Sequence, residues 1–263
     1  MTYSLYIIGF PSLYGGAGAE LYHQIKVWKQ MGVEMHLIPT QKNAHGAGLY
    51  PEMVKLGVAV HEGYDWEAIP AGAPVISFCN EEFLAALPKI RKRTGRTVFV
   101  NCMTWLFGRE KEAMRRGDIS LFLYQNSNVM GNVMPRLRAL NPDPAIRFMT
   151  FRPYFDAADF PFAAGRSTDW FGAGHISRQD EDKFSKDTWH IYEHFASPVR
   201  KKGTFLGFDR RSEAKTGRPP DWVETFHDQK SLSQQEFYRR CHIVLQPTDT
   251  VSYTHLTLPT TSR

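Results

Sequence analysis

The chain has 263 residues, of which 42% are hydrophobic and 22% charged, the composition of an ordinary globular protein with one large domain or two small ones. Its net charge of +5 suits phosphorylated ligands or an anionic surface and does not call for nucleic acid. Three cysteines without C-x-x-C spacing argue against a disulfide framework and for a reducing, cytoplasmic compartment. No stretch approaches the ~20 apolar residues of a bilayer crossing, and Met1 to Phe10 lacks the basic start of a signal peptide.

Short apolar runs alternate with helical patterns from the start. Leu5 to Phe10 reads as a buried strand, followed by a glycine-rich turn and a helix over Glu20 to Met31, with Leu21, Ile25 and Trp28 on one face. Further strands are expected at Val33 to Ile38, Val58 to Val60, Val75 to Phe78, Val98 to Val100, Ile119 to Tyr124 and Arg147 to Phe151. Helices are expected at Glu81 to Arg93, Arg109 to Arg116 and Asn128 to Leu140, the last capped by Ser127. Continuous apolar strands separated by helices imply a parallel sheet covered on both faces, a Rossmann-like domain over 1–151.

The stretch 152–166, rich in proline and aromatics, reads as a linker. A second alternation follows over 167–250. It has a strand at Trp170 to Ala173, a helix at Thr188 to Phe195 and a strand at Thr204 to Gly207. A helix then opens at the capping box Ser233-Gln234-Gln235-Glu236, and a last strand runs from His242 to Leu245. These are too few elements for a complete second domain. The tail Val251 to Arg263, with Tyr253-Thr254-His255-Leu256 at its centre, resembles a translated sequencing-library adapter. The native sequence is therefore expected to stop being readable at about Thr250, within a longer protein.

Gly15-Gly16-Ala17-Gly18-Ala19-Glu20 sits between the first strand and the first helix, where an α/β sheet takes ligands. A helix N-terminus there offers free N–H groups to a phosphate. Leu21 replaces the third glycine of G-x-G-x-x-G, and the second strand ends Pro39-Thr40-Gln41 without an acid, which disfavours a nicotinamide dinucleotide. A tight turn with no ligand explains the glycines equally well. Four segments in order resemble glycosyltransferases of the GT-B fold, closest to the retaining family four, or group one. They are this strand–GGxGxE–helix start; Phe151-Arg152-Pro153-Tyr154-Phe155-Asp156 with Phe160-Pro161; Gly174-His175-Ile176-Ser177-Arg178 with Lys183; and Glu236 to Pro247-Thr248.

The resemblance implies a nucleotide-sugar donor held mainly by the second domain, a glycosyl acceptor held mainly by the first, transfer with retention, and no obligatory metal or other cofactor. The donor diphosphate would be held by Gly15, Gly16, His175, Arg178 and Lys183, with His175 standing where the family has arginine. Cations and backbone N–H groups there would stabilise charge developing on the leaving diphosphate. Asn101 and Trp105 are the acceptor-side candidates; the family's histidine after that strand is absent, and its pair of glutamates would fall beyond Asp249. A fragment ending near Thr250 would lack much of the donor pocket and be inactive. A non-catalytic sugar- or nucleotide-binding relative is the second reading.

Other patterns compete. His190-Ile191-Tyr192-Glu193-His194 fits H-x-x-E-H, in which two histidines one helical turn apart bind zinc, a hydrolase signature. Asp180-Glu181-Asp182 imitates the metal-binding D-x-D of the other large glycosyltransferase fold, although a solvated loop explains it. Arg91, Lys92, Arg93 and Arg96 cluster at a helix end, where cations are favourable in any case; the functional alternative is weak contact with anionic lipid headgroups.

Overall fold

Residues whose side chains are apolar on both faces form the centre of parallel sheets, and here they do so twice. The computed structural model describes residues 3–9, 12, 16–42, 48–161, 168–194 and 197–248. The chain divides into two units, Met1–Asp156 and Ala157–Arg263. The tail 251–263, read above as adapter-like, and Gly15 lie outside the described residues. No helix among the described residues is long and apolar enough to cross a membrane.

The first unit runs β1 (Ser4–Gly9), α1 (Gly16–Gln30), β2 (Glu34–Pro39), α2 (Tyr50–Lys55), β3 (Ala59–Val60), β4 (Val75–Phe78), α3 (Glu81–Ile90), β5 (Thr97–Asn101), α4 (Gly108–Arg116), β6 (Leu121–Tyr124), α5 (Ser127–Arg138) and β7 (Arg147–Thr150). Its seven strands are ordered β3-β2-β1-β4-β5-β6-β7, with every pairing parallel. Strand alternation divides the core between the two faces. Tyr6 and Ile8 pack with Phe83, Leu87, Met114 and Leu137 from α3, α4 and α5, while Ile7 packs with Leu21 and Ile25 of α1 and Met53 of α2. The order reverses between β1 and β4, the kind of topological switch point beside which parallel sheets take their ligands.

Local chemistry sets the helix starts. The Asn80 side chain accepts the Phe83 N–H at 2.8 Å to cap α3 and donates to Thr40 Oγ1 at 3.0 Å, joining the ends of β2 and β4. The cap of α5 is Asn126, which accepts from Val129 N–H at 2.8 Å, and Ser127 is already helical, a correction to the sequence expectation. Asparagine wins because its carbonyl reaches the third N–H from an extended backbone.

The second unit runs β8 (Trp170–Ile176), α6 (Thr188–His194), β9 (Arg200–Leu206), α7 (Arg210–Thr216), β10 (Val223–Phe226), α8 (Gln234–Arg240) and β11 (Ile243–Val244). Its parallel sheet is ordered β10-β9-β8-β11, so it too reverses beside its first strand. One face carries Phe184, Trp189, Tyr192, Phe205 and Phe208; the other carries Leu206, Leu232, Phe237 and Cys241. Ser233 caps α8 as its spacing predicts, accepting the Glu236 N–H at 3.2 Å.

Candidate functional site

In an all-parallel sheet every strand delivers its carboxyl end to the same rim, and ligand chemistry collects there. In the second unit that rim is built from the loops after β8, β9 and β10. The Gln179 side-chain amide bonds the His227 ring and carbonyl, both at 2.8 Å, joining the loop after β8 to that after β10. Arg211 donates to Asp209 at 3.1 Å and to the Gln179 carbonyl at 3.1 Å, and Lys215 donates to the Glu181 carbonyl at 3.1 Å. Gly207 ends β9 at φ +92, and a Cβ there would run into the Ser177 carbonyl, so only glycine lets the two loops approach this closely.

Two predicted donor residues stand on this rim. Arg178 is exposed and pairs with Asp180 at 2.7–2.9 Å. Lys183 ends the short turn Glu181–Lys183 and is partly buried. Burial alone would raise the Asp180 carboxyl, but hydrogen bonds from Arg178 and from the Asp182 N–H, with the charges of Arg178 and Lys183, hold it below its ordinary range. Asp180 also caps this turn through Asp182 N–H. The Asp180 carboxylate, first of the acidic run, is therefore committed to the loop's own structure.

His175 does not join them. Its side chain is 0% exposed, stacked on Phe184 at 4.3 Å and on Phe205 at 5.5 Å between ring centroids. Neither ring nitrogen has a hydrogen-bond partner among the described residues. Burial pushes the imidazole down to about 3; the Leu245 main chain pulls the other way without a bond of good geometry. A neutral, enclosed ring cannot hold a diphosphate. The expectation that His175 binds the donor is corrected: it is the floor under Phe184, the residue that follows Lys183.

In the first unit the rim contains the N-terminus of α1 and the ends of β4, β5 and β6. Gly16 opens α1, is exposed, and a Cβ built there meets nothing within 4 Å. Its smallness thus fills no packing need. Asn101, an acceptor-side candidate, is only 1% exposed. It donates to the Trp105 carbonyl at 3.0 Å and to Glu110 at 2.9 Å, and accepts the Met103 N–H at 2.8 Å. Its hydrogen-bonding capacity is spent on the turn after β5, so its assignment to the acceptor is also corrected. Trp105, carried on that turn, is 53% exposed and free to stack on a ligand.

Glu110 anchors this turn. Burial pushes its carboxyl up to about 7, against bonds from the Phe107 N–H, Asn101 and Tyr124 and the charge of Lys111. Asn101→Ala is expected to destabilise the first unit by about 2–3 kcal/mol, because a buried carboxylate loses a donor. Chemical denaturation checks this, and a loss below about 0.5 kcal/mol, the ordinary scatter of surface substitutions, would contradict it.

The remaining sequence candidates separate clearly. Arg93 of the basic cluster is tied to Ile69 and Glu67, both at 3.0 Å, which leaves Arg91, Lys92 and Arg96 exposed. The His190 and His194 rings lie 4.0 Å apart, but His194 Nδ1 bonds the His190 carbonyl at 2.8 Å. Among the described residues no group of three His, Cys, Asp or Glu side chains is placed to hold a metal. Sequence reasoning missed Gln179 and Arg211. It also missed a buried cluster at the first rim in which Glu20 accepts from Gln125 and from Cys102, the latter at 3.7 Å. Burial pushes the Glu20 carboxyl up to about 7, opposed by those two bonds.

No protein-family model matches the sequence, and no curated protein matches it significantly. Solved structures do. A glycosyltransferase from Rickettsia africae ESF-5 superposes with a TM-score of 0.63 over 94% of this chain and 73% of its own, at 11% identity. An alpha-glucosyltransferase in complex with UDP gives 0.63 over 94% and 74%, at 12% identity. The chain has a GT-B-like glycosyltransferase fold. A third structure with this GT-B-like fold, Anabaena Alr3699/HepE in complex with UDP-glucose, gives 0.55 over 93% and 74%, at 10% identity. At such identities the likeness is one of architecture, and it assigns no role to Arg178 or Lys183.

Proposed function

We propose that this protein moves a sugar from a nucleotide-sugar donor to an acceptor hydroxyl, with retention and with protein cations in place of a divalent metal. The observation that carries the reading is Arg178 and Lys183 on the carboxyl rim of a parallel sheet, in a chain that shares its fold with glycosyltransferases solved with UDP and UDP-glucose. As the glycosidic bond breaks, negative charge gathers on the leaving diphosphate. A guanidinium and an ammonium stabilise that charge without a proton transfer. Within the first unit, the exposed start of α1 at Gly16 presents N–H groups of the kind that suit a phosphate, and Trp105 presents an aromatic face of the kind that suits a sugar. Retention and metal independence rest on the family resemblance of the sequence.

Calorimetry with uridine, guanosine and adenosine diphosphates tests the reading. At least one is expected to bind with micromolar to sub-millimolar affinity, unchanged by a chelator. Absence of binding, or binding only with added divalent metal, would overturn it. One observation favours the non-catalytic alternative. His175 and Asn101, which stand where the family places functional side chains, are both enclosed in cores. Tight donor binding with neither transfer nor hydrolysis would select that alternative.

A further inference from the structure

The parallel pairing of β4 with β5 sets Phe78 opposite Val100, so Cys79 and Cys102 leave adjacent strand ends side by side. The Cys102 N–H donates to Cys79 Sγ at 2.8 Å, and the Cys102 thiol faces Glu20 Oε2 at 3.7 Å. Both cysteines are partly exposed, whereas Cys241 is buried in the second unit. Cys79 also adopts φ +45, a left-handed backbone uncommon outside glycine. That turn aims its sulfur back at the β5 end rather than into the core.

We propose that Cys79 and Cys102 form an oxidative modification site, a thiol pair that closes to a disulfide on reaction with a peroxide. In the first step the Cys79 sulfur attacks one peroxide oxygen. The S–O bond forms, the O–O bond breaks, and the leaving hydroxide takes the thiol proton to become water, which leaves Cys79 as a sulfenic acid. In the second, Cys102 gives its proton to the Glu20 carboxylate and attacks the oxidised sulfur. The S–S bond forms, the S–O bond breaks, and the leaving hydroxide recovers the proton from Glu20 as a second water. Two thiols and one peroxide thus become one disulfide and two waters.

The order of attack follows from the surroundings of Cys102. The hydrogen bond with Cys79, burial, and the neighbouring Glu20 all hold its thiol protonated, so Cys102 resolves rather than initiates. Closing the bond removes Cys102 from Glu20 and ties the ends of β4 and β5 together, next to the point where strand order reverses. The site stands independently of any role in sugar transfer.

The test uses the reduced full chain, treated with stoichiometric hydrogen peroxide under native conditions, alkylated and digested without reductant. The expected product is one linked peptide pair joining Cys79 to Cys102, reopened by dithiothreitol, with Cys241 alkylated only after unfolding. Cys102→Ser should stop at a sulfenic acid on Cys79 that dimedone traps. Glu20→Gln should slow linkage roughly tenfold without slowing formation of the sulfenic acid. Irreversible oxidation of Cys79 beside a free Cys102, or linkage through Cys241 or between chains, would overturn the pair. An unchanged linkage rate in Glu20→Gln would overturn the proton transfer to Glu20.

Discussion

Replacing His175 with leucine is expected to stabilise the second unit, and most of all in acid. The buried ring leaves a polar N–H without a partner among the described residues, an arrangement that costs about 1–3 kcal/mol. A leucine of similar volume removes that cost and keeps an apolar surface against Phe184 and Phe205. The pH dependence follows from protonation. The imidazole titrates near 6.5 in an unfolded chain and is pushed down to about 3 in the fold. Between those values the unfolded state binds more protons. The contribution of His175 is therefore complete above about pH 6.5 and is lost as pH falls toward 3. At pH 5 the advantage of the leucine variant should widen by about 2 kcal/mol. Glu20 and Glu110 act in the opposite sense. Their carboxyls are raised from 4.5 to about 7, so their contribution is present below 4.5 and lost as pH rises through 7. Denaturation of both proteins from pH 8 to pH 5 decides the matter, the variant gaining stability on acidification relative to wild type. Parallel curves would show that the ring is partnered after all.

Lys183→Ala is expected to weaken nucleoside-diphosphate binding by about 10- to 100-fold, since one charge-assisted hydrogen bond is worth about 1.5–3 kcal/mol. Stability should change little, because the residue lies on a short turn at the rim and the buried residue that follows it, Phe184, is untouched. Arg200→Ala is the matched control. It removes a cation from the amino end of β9, the opposite rim of the same sheet, and should leave affinity unaltered. Equal losses in both variants would indicate diffuse attraction by net charge. No loss in Lys183→Ala would remove that residue from the site.

Much of the architecture is legible in the residue order because continuous apolar runs have few alternatives to a buried parallel strand. Val75 to Phe78 falls where the pattern places it, and Thr97–Asn101 exceeds its expected span by one residue at each end. What escapes is short or polar. Edge strand β10 exposes Glu224 and Thr225, α2 has six residues, and α7 has a sequence, RRSEAKT, without an apolar stripe. The start of β9 is hidden by Lys201 and Lys202, whose ammonium groups lie over Trp222 and Trp170. The misplacement of His175 has the same origin. A strand ending at Ala173 would put it in a loop, but β8 runs on to Ile176 and carries it into the core. Conversely, Cys79 and Cys102 look unrelated in sequence, and only strand pairing makes them neighbours.

The reversal of strand order beside β1 also bears on how the first unit reaches its native state. Tyr6 and Ile7 wait for Val75 and Ile76, about 70 residues later, before the middle of the sheet can close. Among the described residues no hairpin gives this sheet an early local contact, because every pairing in it is parallel. During synthesis β1 and β2 therefore emerge well before their neighbour β4, and assembly is governed by closure of that long loop rather than by the speed at which single helices form.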